Sequence, residues 1–497
     1  MWAPLKGLFA SVVIASAAAT AQAETLSIGL ASFPESLQPG LSTNVSLNVN
    51  RQMMDGLTAR DNAGKIVPGL AEKWEVLNDT TVRFHLREGV KFHDGSAFSA
   101  EDVKYTIDHA LDPKNAYGML GRISAITEVK IVDPKTVDIV TAKPFPTLPV
   151  ALADILIEPK LYAEKVGAEG QRRKPVGTGP FEFTRYVPGD RIELKANPSY
   201  FAGKPSIDSV LLRSIPEAAT RISSLLAGET QIVEEVPVDL VQQVEGSSAL
   251  KINSVNTSVG LVLTYDVTKA PFDNPKVREA LDYAVDKELI LKEILKGKGE
   301  VLQGQLLTST TFGFNSAVKA RSFDPAKAKK LLAEAGYPNG FSTSISTMSG
   351  RYLSDVDIAN AVSGMLNDVG VKVSINVMEP GIFLKNLGSP ARELGPIYMI
   401  GWYSFGDADF AMTWYTGNNR RTAWSNPEFD KLFLAARSTN DTEARKAAYD
   451  RMDEILHAEN PSMFLFGVPT IYGVSKKLSG FDAPADRVLR LNKAKLN

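Results

Sequence analysis

The sequence contains no cysteine in 497 residues, which excludes a disulfide framework, a thiolate nucleophile and any cysteine-based metal site. It also lacks the cysteine on which exported bacterial lipoproteins carry their acyl chains. Histidine is scarce: the four residues are His85, His93, His109 and His457. None pairs with another at the spacing of one helical turn that metal sites often use, so no metal is expected. Long apolar runs are missing too. The most extended, Leu8 to Ala19, is shorter than the about 20 residues that a helix needs to span a bilayer. Charge is nearly balanced, with Lys+Arg 55 against Asp+Glu 57, which leaves no basic footprint for nucleic acid. Hydrolase signatures are likewise absent. There is no G-x-S-x-G elbow, no H-E-x-x-H helix and no S-x-x-K paired with K-T-G.

What is present begins with "MWAPLKGLFASVVIASAAATAQA", in which one lysine, the apolar run and the small-x-small site Ala21-Gln22-Ala23 read as a secretory signal peptide over residues 1–23. The mature protein is expected to be exported and soluble. Without a lipid anchor it would diffuse away from a one-membrane cell, so the periplasm is the expected location. At 44% hydrophobic, the chain far exceeds the about 250–300 residues at which single cores divide, so at least two lobes are expected.

Alternation of Val82, Phe84 and Leu86 with Arg83, His85 and Arg87 predicts a half-buried strand. Ser99 with Asp102 three residues on predicts a helix start, and Val103, Ile107, Ala110 and Leu111 continue it at helical spacing. "EVKIVDPKTVDIVTA" reads as a hairpin turning at Asp133-Pro134-Lys135-Thr136. Between Pro175 and Asp266 strands alternate with helices, the signature of an α/β lobe, and "GLVLTYD", Gly260–Asp266, reads as a buried strand where the chain first changes lobe. Asn274-Pro275 and Asp324-Pro325 are helix starts, and Gly336 is a helix stop. Two further units follow: a helix from Asp355 to Val369 leading into "VKVSINVM", and a helix from Thr442 to His457 before the short strand "MFLFGVP". This late strand is expected to bring the chain back to the first lobe.

The blocks "LAEKWEVLNDTTVRFHLREGVKFHDGSAFSAEDVKYTID", "VGTGPFEF", "NPSYF", "APFDNPKVREALDYAVDKELI" and "FDPAKAKKLLAEAGY" resemble, in order, the extracellular solute-binding proteins of family 5, which serve ABC importers of peptides, nickel and opines. The resemblance implies an α/β two-lobe clamp of the periplasmic binding protein type, with an additional strand-rich subdomain in the first lobe. It implies a first lobe of residues 24–262 with 470–497, the subdomain at about 46–175, and a second lobe of 263–469. It further implies a monomer that hands a small ligand to an inner-membrane ABC permease, with no cofactor and no chemistry.

The stretch "GWYSFGDADF" packs aromatics and carboxylates too densely for an ordinary loop. By resemblance to dipeptide binders, Asp407 and Asp409 are candidates for the ligand ammonium, while Trp402, Tyr403 and Phe405 offer apolar walls. The alternative is that Asp409 caps a helix and the aromatics are core. By the same resemblance Arg351, with Tyr352, falls where dipeptide binders carry an arginine for the ligand carboxylate, which a planar guanidinium pairs bidentately, and the alternative is a solvated surface arginine. Arg421 follows the acidic loop. The resemblance also places Thr43 and Asn44 in the loop from which relatives touch the ligand on the other side, where they offer neutral hydrogen-bonding groups; the alternative is a helix cap for the segment that follows. The expected ligand is a small zwitterion such as a short peptide, a glutathione-like compound or an opine. A sugar conjugate or metal chelate is the alternative, and an exported hydrolase is the rival of a different class. Asp407 and Asp409, two apart on what reads as an extended segment, would face opposite ways and make a poor acid–base dyad.

Overall fold

The computed structural model describes residues 24–40, 44–389, 393–417, 419 and 421–497. Its largest element is an 11-stranded mixed sheet. From one edge the strands run Lys372–Met378, Ser342–Met348, Ile397–Tyr403, Leu250–Tyr265, Ser462–Ser475, Ile232–Val233, Thr25–Leu30, Ser209–Ser214, Arg191–Ala196 and Phe181–Val187, while Glu300–Val301 pairs on the side of Ser462–Ser475.

Two long antiparallel strands, Leu250–Tyr265 and Ser462–Ser475, join the halves of this sheet. Their pairing slips between Asn256 and Gly260 and again between Leu261 and Val262. A β-bulge bends the strand that carries it. At Gly260 an added Cβ would lie 2.3 Å from the carbonyl oxygen of Leu306, so only glycine permits the close approach beside the bulge. The late strand is therefore not the short return that "MFLFGVP" suggested. It has 14 residues and lies in the middle of the sheet, because its apolar run continues through Thr470–Val474. Likewise the strand read from Gly260 starts at Leu250.

Each half has its own core. One gathers Leu26, Ile28, Phe181, Leu212 and Tyr472; the other gathers Leu263, Tyr265, Val277, Ile345, Ile358 and Ile397. A third core, with Phe84, Val103, Ile107 and Ile139, belongs to a four-stranded antiparallel sheet of Ala71–Asn78, Thr81–Leu86, Thr136–Thr141 and Ile126–Asp133. Buried Val82, Phe84 and Leu86 alternate there with half-buried Arg83 and His85, and Arg83 reaches Asp138 on the neighbouring strand at 2.7 Å. Helix Ala100–Leu111 covers this sheet; the Asp102 carboxylate accepts from the amide and hydroxyl of Ser99 and closes its first turn. The architecture is an α/β two-lobe clamp carrying a separate strand-rich body.

The other helix starts follow the same chemistry. Asn274 accepts from the Lys276 amide, Asp324 accepts from the Lys327 amide, and a proline stands in the first turn of each helix. The late helix runs to Glu459, two residues beyond the sequence-based boundary, and ends at left-handed Asn460.

Candidate functional site

Between the halves lies a cavity of about 550 Å³, within the range of small-molecule pockets. Asn48, Glu234, Glu235, Thr470, Tyr472 and Arg487 line it from one half, Gly350, Arg351, Tyr403 and Phe405 from the other, and Arg122 from the strand-rich body. Three of these, Glu235 (φ 52°), Phe405 (φ 53°) and Arg487 (φ 62°), have left-handed backbones. Each such residue costs on the order of 1–3 kcal/mol and persists where the surroundings over-determine it, typically at ligand sites.

The acidic wall follows from a strand end. Ile232 and Val233 are buried as strand, and the chain then turns at Glu234 and Glu235 into the cavity. Asn48 donates to Glu234 at 2.9 Å and accepts from the Leu489 amide at 2.8 Å, which locks its side-chain amide. Burial, and then the neighbouring Glu235, push the Glu234 carboxyl up to about 7, against the pull of Arg487 and the Asn48 hydrogen bond. Glu235 pairs with Arg487.

The opposing wall is held by Asp355, whose carboxylate accepts from the backbone amides of Gly350 (3.2 Å), Arg351 (2.9 Å) and Tyr352 (3.1 Å). That fixes the loop and presents Arg351, which has no carboxylate partner among the described residues. The Tyr352 hydroxyl donates to the Gly401 carbonyl at 3.3 Å. Gly401 makes room for the ring, since a Cβ there would come within 2.6 Å of it. Burial, then Tyr403, raise the Tyr352 phenol to about 12. Tyr352 thus buttresses Arg351 rather than lining the cavity.

The aromatic stretch divides. Tyr403 and Phe405 stack at 5.7 Å and face the cavity. Trp402 points to the other side of the sheet, 5% exposed and stacked on Trp414 at 4.2 Å. Asp407 and Asp409 do not line the cavity. The chain after Gly406 is helical rather than extended, with Asp407 as its N-cap. Asp407 accepts from Arg445 at 2.8 Å, while Asp409 holds Arg437 through bonds of 2.6 and 2.8 Å. Each carboxylate therefore already has a cation of its own. Arg421 stacks on Trp414 at 4.6 Å, beside a separate small pocket near Tyr265. Thr43 lies outside the described residues, as does the side chain of Asn44.

Sequence reasoning did not single out Arg122, Asn48, Glu234, Glu235, Tyr472 or Arg487. The one local signal was the pair Glu234-Glu235, two like charges set directly between Val233 and Val236. Among the described residues no cluster of three or more His, Asp or Glu could hold a metal ion, and no helix is long and apolar enough to cross a membrane.

Comparison with known proteins gives this cavity a context. The chain is 30% identical to the glutathione-binding protein GsiB of Pectobacterium atrosepticum, over all of this chain and 98% of the relative. It is 31% identical to the dipeptide-binding protein of Escherichia coli, over 95% of this chain and 94% of the relative. Among solved structures, HbpA2 of Haemophilus parasuis superposes with a TM-score of 0.84 at 26% identity, covering 95% of this chain and all of that one. Residues 65–423 match the family described as bacterial extracellular solute-binding proteins, family 5 Middle. With a family match over most of its length and full-length relatives on either side of it, the chain belongs to the family 5 extracellular solute-binding proteins, the substrate-binding components of ABC importers.

Proposed function

We propose that this protein captures a small zwitterionic solute of the short-peptide, glutathione-like or opine type in the cavity and delivers it to an inner-membrane ABC permease. The observation that carries this reading is the opposition of two groups across the cleft: Glu234, which has no cation within ion-pair distance among the described residues, and Arg351, which has no carboxylate. A desolvated ammonium at Glu234 and a carboxylate at Arg351 would satisfy both through charge-assisted bonds. Tyr403, Phe405 and Tyr472 then supply walls for the body of the ligand. Nothing in this arrangement calls for chemistry, and the protein acts as a binding module, monomeric and periplasmic. The lobes divide near the register slips of the two long strands, residues 24–262 with 470–497 against 263–469, with the strand-rich subdomain at about 46–175. Closure would turn on those strands.

The direct test is thermal stabilisation of protein refolded free of carried-over ligand, measured against di- and tripeptides, glutathione, opines, sugars and nickel chelates. A ligand at about 1,000 times its dissociation constant adds ~4 kcal/mol. Stabilisation by zwitterions is expected; stabilisation by sugars alone would overturn the reading.

Affinity should also depend on pH with a maximum. Below about 7 the Glu234 carboxyl is protonated in the free protein and must lose its proton to meet an ammonium, so binding weakens about tenfold per pH unit. Above about 8 the ligand's own α-amine is neutral and binding weakens again. In Glu234→Gln the acidic limb disappears while the alkaline limb remains, which isothermal titration across pH 5.5–9 would show. An unchanged acidic limb in that variant would remove Glu234 from the site.

Asp407 and Asp409, by contrast, support the loop. Asp409→Asn breaks the bidentate pair with Arg437 and lowers the thermal midpoint, but leaves ligand affinity as it was. A large loss of affinity with an unchanged midpoint would return Asp409 to the cleft.

A further inference from the structure

The strand-rich body brings an unusual charge to its side of the cavity. Asp154, 2% exposed, receives Arg51 at 2.8 Å, Arg60 at 2.5 Å and Arg122. Arg490 donates from its Nε to the backbone carbonyl of Arg60 at 2.7 Å and pairs with Asp486 through its other nitrogens. Four guanidiniums thus face two carboxylates, an excess of two positive charges. Arg60 is sealed, its side chain 4% exposed, whereas the side chain of Arg122 is 22% exposed and lines the cavity. One Nη of Arg122 is bonded to Asp154, and the guanidinium lies over the Phe405 ring at 4.1 Å from its centre. One edge is thus held by Asp154 and one face by Phe405. The remaining N–H donors have no partner among the described residues. On the other side of the cavity, Arg487 is already neutralised by Glu235.

We propose that the Arg122 end of the cavity is a subsite for a second acidic group on the ligand, so that the preferred solutes carry one ammonium and two carboxylates and are anionic overall. This rests on the zwitterion reading above and adds to it a net ligand charge. A guanidinium fixed in orientation by a carboxylate behind it and a ring beneath it offers an edge to an incoming carboxylate without first having to be ordered. The surplus positive charge around Asp154 makes that end of the cavity attractive to an anion before contact.

The test uses isosteric pairs, Ala-Glu against Ala-Gln and Ala-Asp against Ala-Asn, titrated calorimetrically into the full mature protein. In the wild type at least one acidic peptide should bind about tenfold more tightly than its amide. Arg122→Gln should bring the acid-over-amide ratio to about one, and Arg122→Lys should restore part of it. Asp154 keeps Arg51 and Arg60 in both variants, so the fold survives, as the thermal midpoint would report. Equal binding of acid and amide in both wild-type pairs overturns the subsite alone. So does a loss in Arg122→Gln that is the same for acid and amide. Failure of all four peptides to bind wild type overturns the subsite and the zwitterion reading together.

Discussion

Replacing Arg351, exposed in this structure, by Ala will weaken binding of a short peptide by about 30- to 1,000-fold if lobe closure encloses its pair with the ligand, the effect of losing 2–4 kcal/mol when one partner of a buried, hydrogen-bonded charge pair is truncated. The size of the effect follows from the local arrangement. Asp355 spends its carboxylate on three backbone amides of the loop, so the side chain of Arg351 is left for the ligand while its main chain is fixed. In the variant a ligand carboxylate would enter the cavity without that guanidinium, and an unpaired buried charge is costly. Arg351→Lys should recover only part of the loss, because an ammonium cannot pair bidentately. Calorimetric titration of wild type and both variants decides the matter. A change below about threefold in Arg351→Ala, under 1 kcal/mol, would mean that the carboxylate lies elsewhere in the cavity.

The largest expected effect on stability is at Asp154. Although burial opposes ionisation there, Arg60, Arg51 and Arg122 hold its carboxyl well below the usual carboxylate range. Asp154→Ala leaves three guanidiniums without their shared anion, two of them almost fully buried. Removing one partner of a buried ion pair typically costs about 3–5 kcal/mol. Urea unfolding of the ligand-free protein should show the midpoint falling accordingly, and an unmoved midpoint would refute this account of the cluster. The sign with pH is set by the same shift. A carboxylate whose folded-state value is depressed gives its full stabilisation above the unfolded value, about 4, and loses it only as pH falls toward the folded value. Between pH 7 and 5.5 the Asp154 contribution is therefore constant. A fall in affinity over that interval that Glu234→Gln removes therefore reports Glu234 and not the Asp154 cluster.

Much of the architecture could be read from local chemistry. Helix starts at Ser99, Asn274 and Asp324 were marked by capping residues and prolines, and the strand at Val82–Leu86 by simple alternation. The cavity was harder to read. Tyr403 and Phe405 were recognisable because aromatics in a polar loop are unusual locally, and Arg351 only through the resemblance to dipeptide binders. Glu234, Arg487 and Arg122 are far apart in sequence and meet only through the sheet and the strand-rich body. Arg487 stands between Asp486 and Val488 in a stretch with no periodicity. Nothing nearby indicates that its backbone is left-handed or that Glu235 awaits it. The carboxylates of "GDADF" were misleading for a related reason. Their partners, Arg445 and Arg437, sit on two later helices, so a sequence window around Asp407 shows two uncompensated acids where the fold has two ion pairs.

The placement of Ser462–Ser475 bears on when this protein can fold at all. That strand is among the last parts of the chain to be made, yet it sits between Leu250–Tyr265 and Ile232–Val233 and, with Leu250–Tyr265, joins the sheet's two halves. A chain emerging from its amino end can begin each core but cannot unite them until the final tenth of its length has arrived. Such late, long-range pairing is slow to form. Because Thr470 and Tyr472 belong to that strand and stand in the cavity wall, the binding cavity is complete only once this last-made part of the chain has paired.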